Sequence, residues 1–431
     1  MKRIHILFIV LLCCSIGVLK GQDVLSISQC YDLAQANYPL IHQHGLIEQA
    51  EQYRLSNIGK SWLPQVAIHA KASYQSDVTE LPFNSKQLSS LMPGTDIPTL
   101  SKDQYQVIAQ VDQTIWDGGN ARSSRALTRA EATASRKALD SELYALNQRV
   151  NELYFGCLLQ EELIHQNALL QKDLQTNINR IISMMKNGMA NQSDVESMQV
   201  ELLNAQQRAI ELKAGKKAFL QMLAAFIGKP ITEDCQLEVP ELPQATSVSL
   251  INRPELRAFE AKDELLVSRN RLLTARLMPR FSAFVQGGFG RPALNMLSND
   301  FEPFYVAGVR LTWNLGKLYT LKNDRRTIEV NRHSLNVERE TFLFNTRLQL
   351  LQQDTEIQKM NDLMQADKEI IRLRENIKKA AEVKLSNGVI AVTDLIREIN
   401  AEDQARQTAS THQIQHLKNS YDRLHTTNQQ Y

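Results

Sequence analysis

The residues most suggestive of chemistry are two histidines one helical turn apart. His412 and His416 have the i, i+4 spacing with which a helix can present two imidazoles to a zinc ion. No carboxylate or cysteine pattern completes a ligand set, so we interpret them as solvated surface histidines and predict no metal site. The sequence GGFGRP at 287–292 follows a predicted strand but lacks the Lys-Ser/Thr step and the helix start of a phosphate loop. We interpret it as a strand end and loop.

Two aspartates stand at matching places 200 residues apart. The stretch NGMANQSD ends at Asp194 and the stretch NGVIAVTD ends at Asp394, with Arg397 three positions further on. An Asn-Gly pair ends a helix readily because glycine adopts positive φ without strain. An aspartate six residues past the glycine can cap the helix that returns from such a turn. No Ser/His/Asp order, carboxylate pair or nucleotide motif is present, so we predict neither a catalytic residue nor a cofactor.

The composition predicts a folded, exported protein. Of 431 residues, 43% are apolar and 22% are charged, which suits a chain that buries a core. The net charge of +2 offers no field that would attract nucleic acid. Residues 1–21 have a basic start and an apolar stretch too short for a stable membrane anchor, which predicts a signal peptide cleaved after Gly21 or after Gly17. Cys13 and Cys14 leave lipid modification open. Three cysteines remain at wide spacing, an odd number that argues against a disulfide framework.

Two segments of roughly 70 residues have almost no helix breakers and predict helices of about 100 Å. The first shows the a/d spacing of a coiled coil at Leu139, Leu143, Leu146, Val150, Leu153, Cys157 and Ile164. Cys157 is therefore expected in the core. The second carries two seven-residue stripes: Leu321, Ile328, Leu335 and Phe342, and Val330, Val337, Phe344 and Leu351. These stripes lie on nearly opposite sides of the helix, so we expect it to pack between two neighbours.

The order of elements is duplicated. Shorter helical segments lie between prolines at 39 and 64, and again between prolines at 254 and 279, an offset of 215 residues. From the next strand to the end of the chain the offset is 200 residues. A unit of roughly 200 residues therefore occurs twice. We assign 22–228 to the first repeat, 229–250 to a linker and 251–431 to the second repeat.

Each repeat holds two segments with the period of a strand, apolar on one face and small or polar on the other. The apolar positions are Val66, Ile68, Ala70, Ala72 and Tyr74, Tyr105, Val107, Ala109, Val111 and Ile115, Phe281, Ala283, Val285 and Phe289, and Tyr305, Ala307, Val309, Leu311 and Trp313. Such segments are typical of a transmembrane β-barrel or of an antiparallel sheet in a soluble domain. Known single-chain barrels begin at about eight strands, so four strands predict a barrel shared by several chains.

In this order and register the chain resembles the TolC-type outer-membrane factor family, the exit ducts of efflux pumps and type I secretion systems. The resemblance covers the mature chain and rests on the duplicated order of elements, the two tip turns, the entries WLPQ and LMPR to the first strands and the exit IWDGGNA from the second strand. It implies a mainly α-helical fold with a β-barrel portion. It further implies a homotrimer whose twelve-stranded outer-membrane β-barrel is continued by an α-helical barrel in the periplasm.

The resemblance also assigns roles to the residues around the turns. It implies that the periplasmic hairpin tips contact an adaptor protein through Asn187, Gly188, Met189, Asn387, Gly388 and Val389. Asp194 and Asp394 fall where the family has acidic residues near the closed end of the channel. Arg397 departs from the family, which has an acidic residue there, and Leu385 and Ile390 replace tyrosine and arginine lock residues. We therefore expect a channel gate of Asp194, Asp394 and Arg397, while helix capping stays the alternative role for the aspartates.

The resulting functional prediction is a passive conduit and not an enzyme. We expect the outer-membrane exit duct of a tripartite efflux pump, with a periplasmic adaptor, an inner-membrane transporter and outer-membrane lipid as partners. The alternatives are the duct of a type I secretion system and, in a different class, a soluble periplasmic coiled-coil scaffold. Exposed apolar strand faces would favour the conduit, because a scaffold has no use for them.

Overall fold

The computed structural model describes residues 24–79, 101–232, 235–243, 250–295 and 298–428. The predicted signal peptide and the two cysteines in it lie outside these residues. The chain divides into two compact units. We call the first the helical unit, which comprises the residues up to Gln43, Ala138–Leu256 and the residues from Glu340 onward. We call the second the strand unit, which comprises His44–Lys137 and Arg257–Arg339, so each unit takes segments from both repeats.

The elements follow one another in the predicted duplicated order. The helices are α1 (Ile27–Asn37), α2 (Gln43–Lys60), α3 (Asn120–Tyr144), α4 (Leu146–Lys186), α5 (Gln192–Ile227), α6 (Pro254–Ala275), α7 (Leu318–Ser386) and α8 (Val392–Thr427). The strands are β1 (Gln65–Tyr74), β2 (Asp103–Trp116), β3 (Arg280–Arg291) and β4 (Glu302–Thr312). Helices α5 and α8 both have 36 residues and begin 200 positions apart. Strands β1 and β3 begin 215 positions apart, which confirms the duplication.

One of the two predicted long helices is continuous and the other is divided. Helix α7 has 69 residues, or about 100 Å at the usual rise. The first long helix is interrupted at Ala145, between α3 and α4. At that point His425 Nε2 lies 3.1 Å from the carbonyl oxygen of Tyr144, and the Tyr144 hydroxyl donates to the His425 carbonyl at 2.6 Å. A side chain that engages a helical carbonyl interrupts the i to i+4 ladder, which accounts for the division.

The core of the helical unit lies where α1, α4, α5 and α8 pack together. Its buried side chains include Val150, Tyr154, Phe155, Cys157, Leu223, Leu417 and Tyr421. The coiled-coil positions from 139 to 157 are buried, and Cys157 is confirmed as a core residue. Burial raises the pKa of the Cys30 and Cys157 thiols to about 12, so both stay protonated at neutral pH. The Tyr154 hydroxyl lies 2.9 Å from the Leu25 carbonyl oxygen and 2.6 Å from that of Glu238, which anchors two extended segments on this core.

The strand unit contains one antiparallel sheet in the order β1-β2-β3-β4. Cross-strand pairing places the predicted apolar positions in rows on one face, among them Val66, Val111, Val285 and Ala307, and Ile68, Ala109, Gly287 and Tyr305. The opposite face is polar near its centre, where Arg310 lies 3.4 Å from Asp112 and above the Phe284 ring. The alternation read from the sequence is therefore confirmed.

A β-bulge changes the register at the end of β2. Thr114 pairs with Ser282 and Trp116 pairs with Phe281, so Ile115 is the extra residue. The bulge adds Trp116 to the apolar face opposite Phe281, beside Ile115, which the sequence pattern placed there. The rings of Trp116 and Phe281 are 5.9 Å apart. Regular alternation alone does not reveal where such an inserted residue falls.

None of the described residues covers the apolar face of the sheet. Ile68 is 75% exposed and Tyr305 is 78% exposed, and Val66, Val107, Val285 and Val309 are exposed as well. Among the helices of the described residues, none combines the length and the apolar character needed to cross a membrane. Exposed aliphatic and aromatic rows of this kind favour a conduit over a soluble scaffold, as predicted from the sequence.

Candidate functional site at the hairpin tips

Both predicted tips end their helices in the same hydrogen-bonded turn. The Met189 amide donates to the Met184 carbonyl at 2.9 Å, and the Gly188 amide donates to the Met185 carbonyl at 3.0 Å. The second tip repeats this pattern from Val389 to Lys384 and from Gly388 to Leu385, both at 2.9 Å. This is the Schellman arrangement, and it requires the positive φ of 70° that both glycines adopt. The Asn-Gly signal thus identified two structurally equivalent turns.

The side chains of the turns point away from the core below them. Met189 is 58% exposed and Val389 is 68% exposed, although an apolar residue at this position of a Schellman turn usually packs back on its helix. Asn187 and Asn387 are also exposed. Beneath them lies a separate apolar cluster that joins all four helix ends, formed by Leu174, Ile178, Ile181, Met184, Val195, Met198, Ala205, Ala381, Leu385, Val392, Leu395 and Ile399. The two tips are therefore held on one packed base.

The two aspartates that follow the turns cap the returning helices. The Asp194 carboxylate accepts from the Asn191 amide at 3.0 Å, while the Asn191 side chain accepts from the Asp194 amide at 3.0 Å. At the second tip the Asp394 carboxylate accepts from the Ala391 amide at 3.2 Å. Carboxylates in the first turn also interact favourably with the helix dipole. The capping role that the sequence left open is present at both tips.

Arg397 lies beside Asp394 but is largely exposed. Its guanidinium is 3.6 Å from the Asp394 carboxylate and 3.3 Å from the Glu398 carboxylate, and 70% of its side chain is accessible. Both pairs form within one chain: Asp394 lies one helical turn before Arg397, and Glu398 directly follows it. Leu385, which replaces a family lock residue, is buried in the tip cluster, and Ile390 packs against that cluster. An exposed pair of this kind contributes little stability by itself.

Above the tip cluster, a band of ion pairs attaches α7 to α4 and α8. Lys378 lies 3.0 Å from the Asp173 carboxylate and 2.5 Å from the Glu402 carboxylate, and Glu402 accepts from Arg406 at 2.8 Å. Arg406 also pairs with Glu375. Burial of the Glu402 carboxyl opposes its ionisation, yet hydrogen bonds from Lys378 and Arg406 lower its pKa. The i, i+4 pair of Glu402 and Arg406 could have been read from the sequence, whereas the links to other helices could not.

Asp403 lies next to this band, and its environment disfavours its charge. Burial raises the pKa of its carboxyl to about 6, although Arg208 and the Gln407 amide favour the ionised form. Arg208 donates to the Gln407 side chain, and Gln407 in turn donates to Asp403, so the carboxyl ends a polar chain between α5 and α8. The position was not recognised from the sequence, because nothing local marks it as buried.

His412 and His416 are not the solvated surface residues that the sequence predicted. His416 is buried at 6% exposure and His412 is half-buried, with Nδ1 2.7 Å from the Asp367 carboxylate. The prediction of solvated surface histidines was therefore wrong, because this face of α8 packs against its neighbours. Within the described ranges no group of three or more His, Cys, Asp or Glu side chains could hold a metal ion. The glycines of GGFGRP lie in the last part of β3, as predicted for a strand end.

Comparison with solved structures agrees with this architecture. The fold is similar to that of the outer-membrane channel OprN, with a TM-score of 0.67, 13% identity and coverage of 93% of this chain and 89% of that chain. It is similar to VceC of Vibrio cholerae, with a TM-score of 0.65, 11% identity and coverage of 93% and 95%. It is also similar to the open state of the Neisseria gonorrhoeae MtrE channel, with a TM-score of 0.63, 16% identity and coverage of 93% of this chain and 88% of that chain. These likenesses define a channel fold. No curated protein sequence gives a significant match.

A family comparison adds the identity. Residues 30–229, the first repeat, match the model of the outer membrane efflux protein family. The match shows that the first repeat is similar to this family. The predicted resemblance is thus confirmed, together with a localisation in the outer membrane that extends into the periplasm. Members of the family are conduits and not enzymes.

Replacement of Asp403 by asparagine is expected to stabilise the helical unit at neutral pH. The folded-state pKa of about 6 lies above the unfolded value of about 3.9. The native state therefore loses stability as the pH rises from about 4 to about 6, and it keeps that loss at higher pH. After solvent screening the gain at pH 7.5 should be on the order of 1 kcal/mol, and it should vanish near pH 4. Thermal unfolding followed by circular dichroism measures it.

Asp32→Asn serves as the matched control, because Asp32 is an exposed helical aspartate. It should leave the unfolding temperature unchanged at both pH values. An Asp403→Asn variant that is less stable than the unmodified protein at pH 7.5 would show that the carboxylate is stabilised by Arg208 instead of being penalised by burial.

Proposed function

We propose that the chain is one subunit of a trimeric outer-membrane exit duct of a tripartite efflux pump. The duct passively conducts substrates that an inner-membrane transporter and a periplasmic adaptor deliver to it. The observation that carries this proposal is the sheet: four strands, one fully exposed apolar face and two open edges. Such a sheet is stable in lipid only as part of a closed barrel.

The sheet can be closed by identical copies. β1 and β4 are its edges, and because all neighbours are antiparallel, β4 of one copy continues the alternation with β1 of the next. Two copies would supply eight strands and three would supply twelve. A ring of this type uses two different edges at each contact, so it is a head-to-tail assembly with cyclic symmetry. A ring of three copies is the assembly that the family resemblance implies.

The helical unit presents matching apolar edges. Helix α4 packs against both α5 and α8, and α8 is joined to α7 by ion pairs, so α5 and α7 are the outer helices. On α5 an exposed stripe contains Val200, Leu203 and Ile210, the last 71% exposed. On α7 the stripe of Phe344 and Leu351 is exposed, followed by Ile370, Leu373 and Ile377. Apolar stripes on both outer helices support a ring in which α5 of one copy packs on α7 of the next.

The tips support the partner assignment. Asn187, Gly188, Met189, Asn387, Gly388 and Val389 form two equivalent exposed turns, each with one apolar side chain. A Cβ atom added at either glycine would meet nothing within 4 Å, so the turns are open to an approaching surface. We propose that the adaptor docks here, with Met189 and Val389 as apolar contacts. Exposed apolar residues at the centre of a polar turn are suited to such a contact.

The gate proposal combines capping with charge. We propose that Asp194, Asp394 and Arg397 surround the narrow end of the duct, where three copies would place rings of both signs around one axis. Asp394 keeps its bond to the Ala391 amide in this arrangement, because its second oxygen is the one nearest Arg397. In a constricted space, pairs between neighbouring copies would favour closure, since screening by water is incomplete.

The assembly is tested by the mass of the purified protein. We expect a trimer by light scattering with the detergent contribution subtracted. Leu203→Glu with Ile210→Glu should dissociate the helical part and lower the unfolding temperature by several degrees, because two charges would be buried in an apolar contact. Asn204→Glu with Gln175→Glu, at exposed polar positions, is the matched control and should change neither quantity. A stable monomer of the unmodified protein would contradict the shared barrel.

Adaptor docking is tested at the tips. Met189→Asp with Val389→Asp should reduce crosslinking to the adaptor at least tenfold and raise drug susceptibility, because charges replace both apolar contacts. The trimer mass and the membrane fraction should stay unchanged, since both residues lie outside the tip cluster. Gln199→Asp adds a charge at an exposed position of α5 and should leave export intact. Normal crosslinking by the double variant would place the contact elsewhere.

The gate is tested by conductance in planar bilayers. Arg397→Asp should raise the conductance and the cation preference, because it removes the pairing cation and adds acidic side chains at the constriction. Arg372→Asp is the matched control, since Arg372 is also an exposed helical arginine paired with an acid at i, i+3. If both variants match the unmodified channel, Asp394 acts only as a helix cap, and closure depends on apolar residues such as Leu385 and Ile390.

A further inference from the structure

The tryptophans are concentrated where the strands meet the helices. The chain has three: Trp62 between α2 and β1, Trp116 at the end of β2 and Trp313 directly after β4. All three are exposed, between 37% and 56%. Tryptophan is enriched at the headgroup level of membranes, where an apolar ring with one polar group is favoured. We call this end of the sheet the rim.

Charges at the rim are almost all positive. No Asp or Glu occurs between Glu51 and Asp77 or between Asp117 and Glu131. In the second repeat there is none between Glu264 and Asp300. These same stretches contain Arg54, Lys60, Lys71, Arg122, Arg125, Arg129, Arg269, Arg271, Arg276, Arg280 and Arg291. A chain with a net charge of only +2 therefore has long stretches in and around the sheet whose charged residues are all basic.

Within the first repeat the rim contains a groove of about 540 Å³. Trp62 and Trp116 form one part of its wall, and Arg122, Arg125 and Arg129 line another part along one face of α3. The three arginines are exposed. Of the described residues, no carboxylate forms an ion pair with any of them. The groove thus has an apolar wall beside three positive charges, and Asp117 is the one acidic residue in its lining.

Two neighbouring acids are already engaged elsewhere. Asp117 accepts from the Gly119 amide at 2.9 Å and from the Ala121 amide at 2.6 Å, so it closes the turn into α3. Glu51 of α2 accepts from Arg136 at 2.8 Å, and Arg136 lies further along α3 than the three groove arginines. On α3, Arg136 thus has an acidic partner on α2, whereas none of the described carboxylates forms an ion pair with the three groove arginines. A ligand with negative charge fits this difference.

The groove opens onto the apolar face of the sheet. The bulge at Ile115 turns Trp116 onto the side of Phe281, and that row continues through Leu311. A molecule with an anionic head and an apolar tail could therefore place the head among the arginines and the tail along the strands. Guanidinium groups bind phosphate oxygens in a bidentate manner, which suits them to a phosphodiester.

We propose that this groove binds the headgroup of an anionic phospholipid from the membrane that surrounds the sheet. Arg122, Arg125 and Arg129 contact the phosphate, Trp62 and Trp116 contact the glycerol region, and an acyl chain lies on the exposed apolar rows. The proposal rests on the sheet lying in the outer membrane. It does not depend on the gate or on the adaptor contact.

Tryptophan fluorescence provides the test, because Trp62 and Trp116 line the groove. The full-length protein, carrying Trp313→Phe to remove the third emitter, is reconstituted with brominated phosphatidylglycerol or brominated phosphatidylcholine at equal mole fraction. A brominated lipid quenches the tryptophan fluorescence only when it is in contact with the rings. We expect the relative binding constant to favour the anionic lipid at least tenfold, since each basic residue near a membrane contributes about fivefold.

Arg122→Gln, Arg125→Gln and Arg129→Gln together should reduce this preference to below twofold. The matched control removes three exposed basic residues of the helical unit, by Arg149→Gln, Lys172→Gln and Arg372→Gln, and should keep the preference. Replacement of the three rim arginines by lysine should retain most of it. Equal quenching by both lipids in the unmodified protein would overturn the proposal, and would indicate that a neighbouring copy covers the groove.

Sedimentation of the reconstituted vesicles separates failure of this proposal from failure of the duct proposal. Protein that sediments with the vesicles but shows no lipid preference contradicts the groove alone. Protein that fails to insert contradicts the membrane location on which both proposals depend. An equal loss of preference in the helical-unit control would also overturn the groove proposal, because it would show that only the overall charge matters.

Discussion

Backbone hydrogen bonding at the two edges of the sheet is the constraint on which the rest of the structure depends. Peptide groups in lipid have no water to bond, so an edge strand in a membrane must pair with another strand. The described part of the chain forms four strands, too few to close a barrel by pairing β1 with β4. In the duct that we propose, assembly is therefore part of folding, and the exposed stripes on α5 and α7 place the same requirement on the helical unit.

The features predicted well from the sequence were those with a period. The two-residue alternation identified the strands, the seven-residue repeats identified the faces of α7, and the 200-residue offset identified the equivalent tips. A periodic pattern predicts structure reliably because it depends on many residues at once, so one exception does not hide it. The aspartates were identified with both of their possible roles, since capping follows from local spacing alone.

The features that the sequence did not reveal depend on residues far apart in the chain. The division at Ala145 arises from His425, and the buried charge of Glu402 depends on Lys378 and Arg406. His416 was interpreted as solvated because no ligand set completes a metal site around it, yet the helix face on which it lies is covered. The bulge at Ile115 is a local irregularity that the residue types around it do not indicate. Such contacts decide stability and register without any pattern that a single sequence displays.

The length of α7 has a consequence for how the gene can change. Each residue inserted in or deleted from a helix rotates everything beyond it by about 100°, so a single-codon change within these 69 residues would move every later apolar side chain off its stripe. Only changes near seven or eleven residues restore the faces. Because α5 and α8 have equal lengths of 36 residues, a change in one hairpin would also leave its tip out of level with the other. Length variation is thus restricted to the loops between strands and to coordinated changes in both repeats.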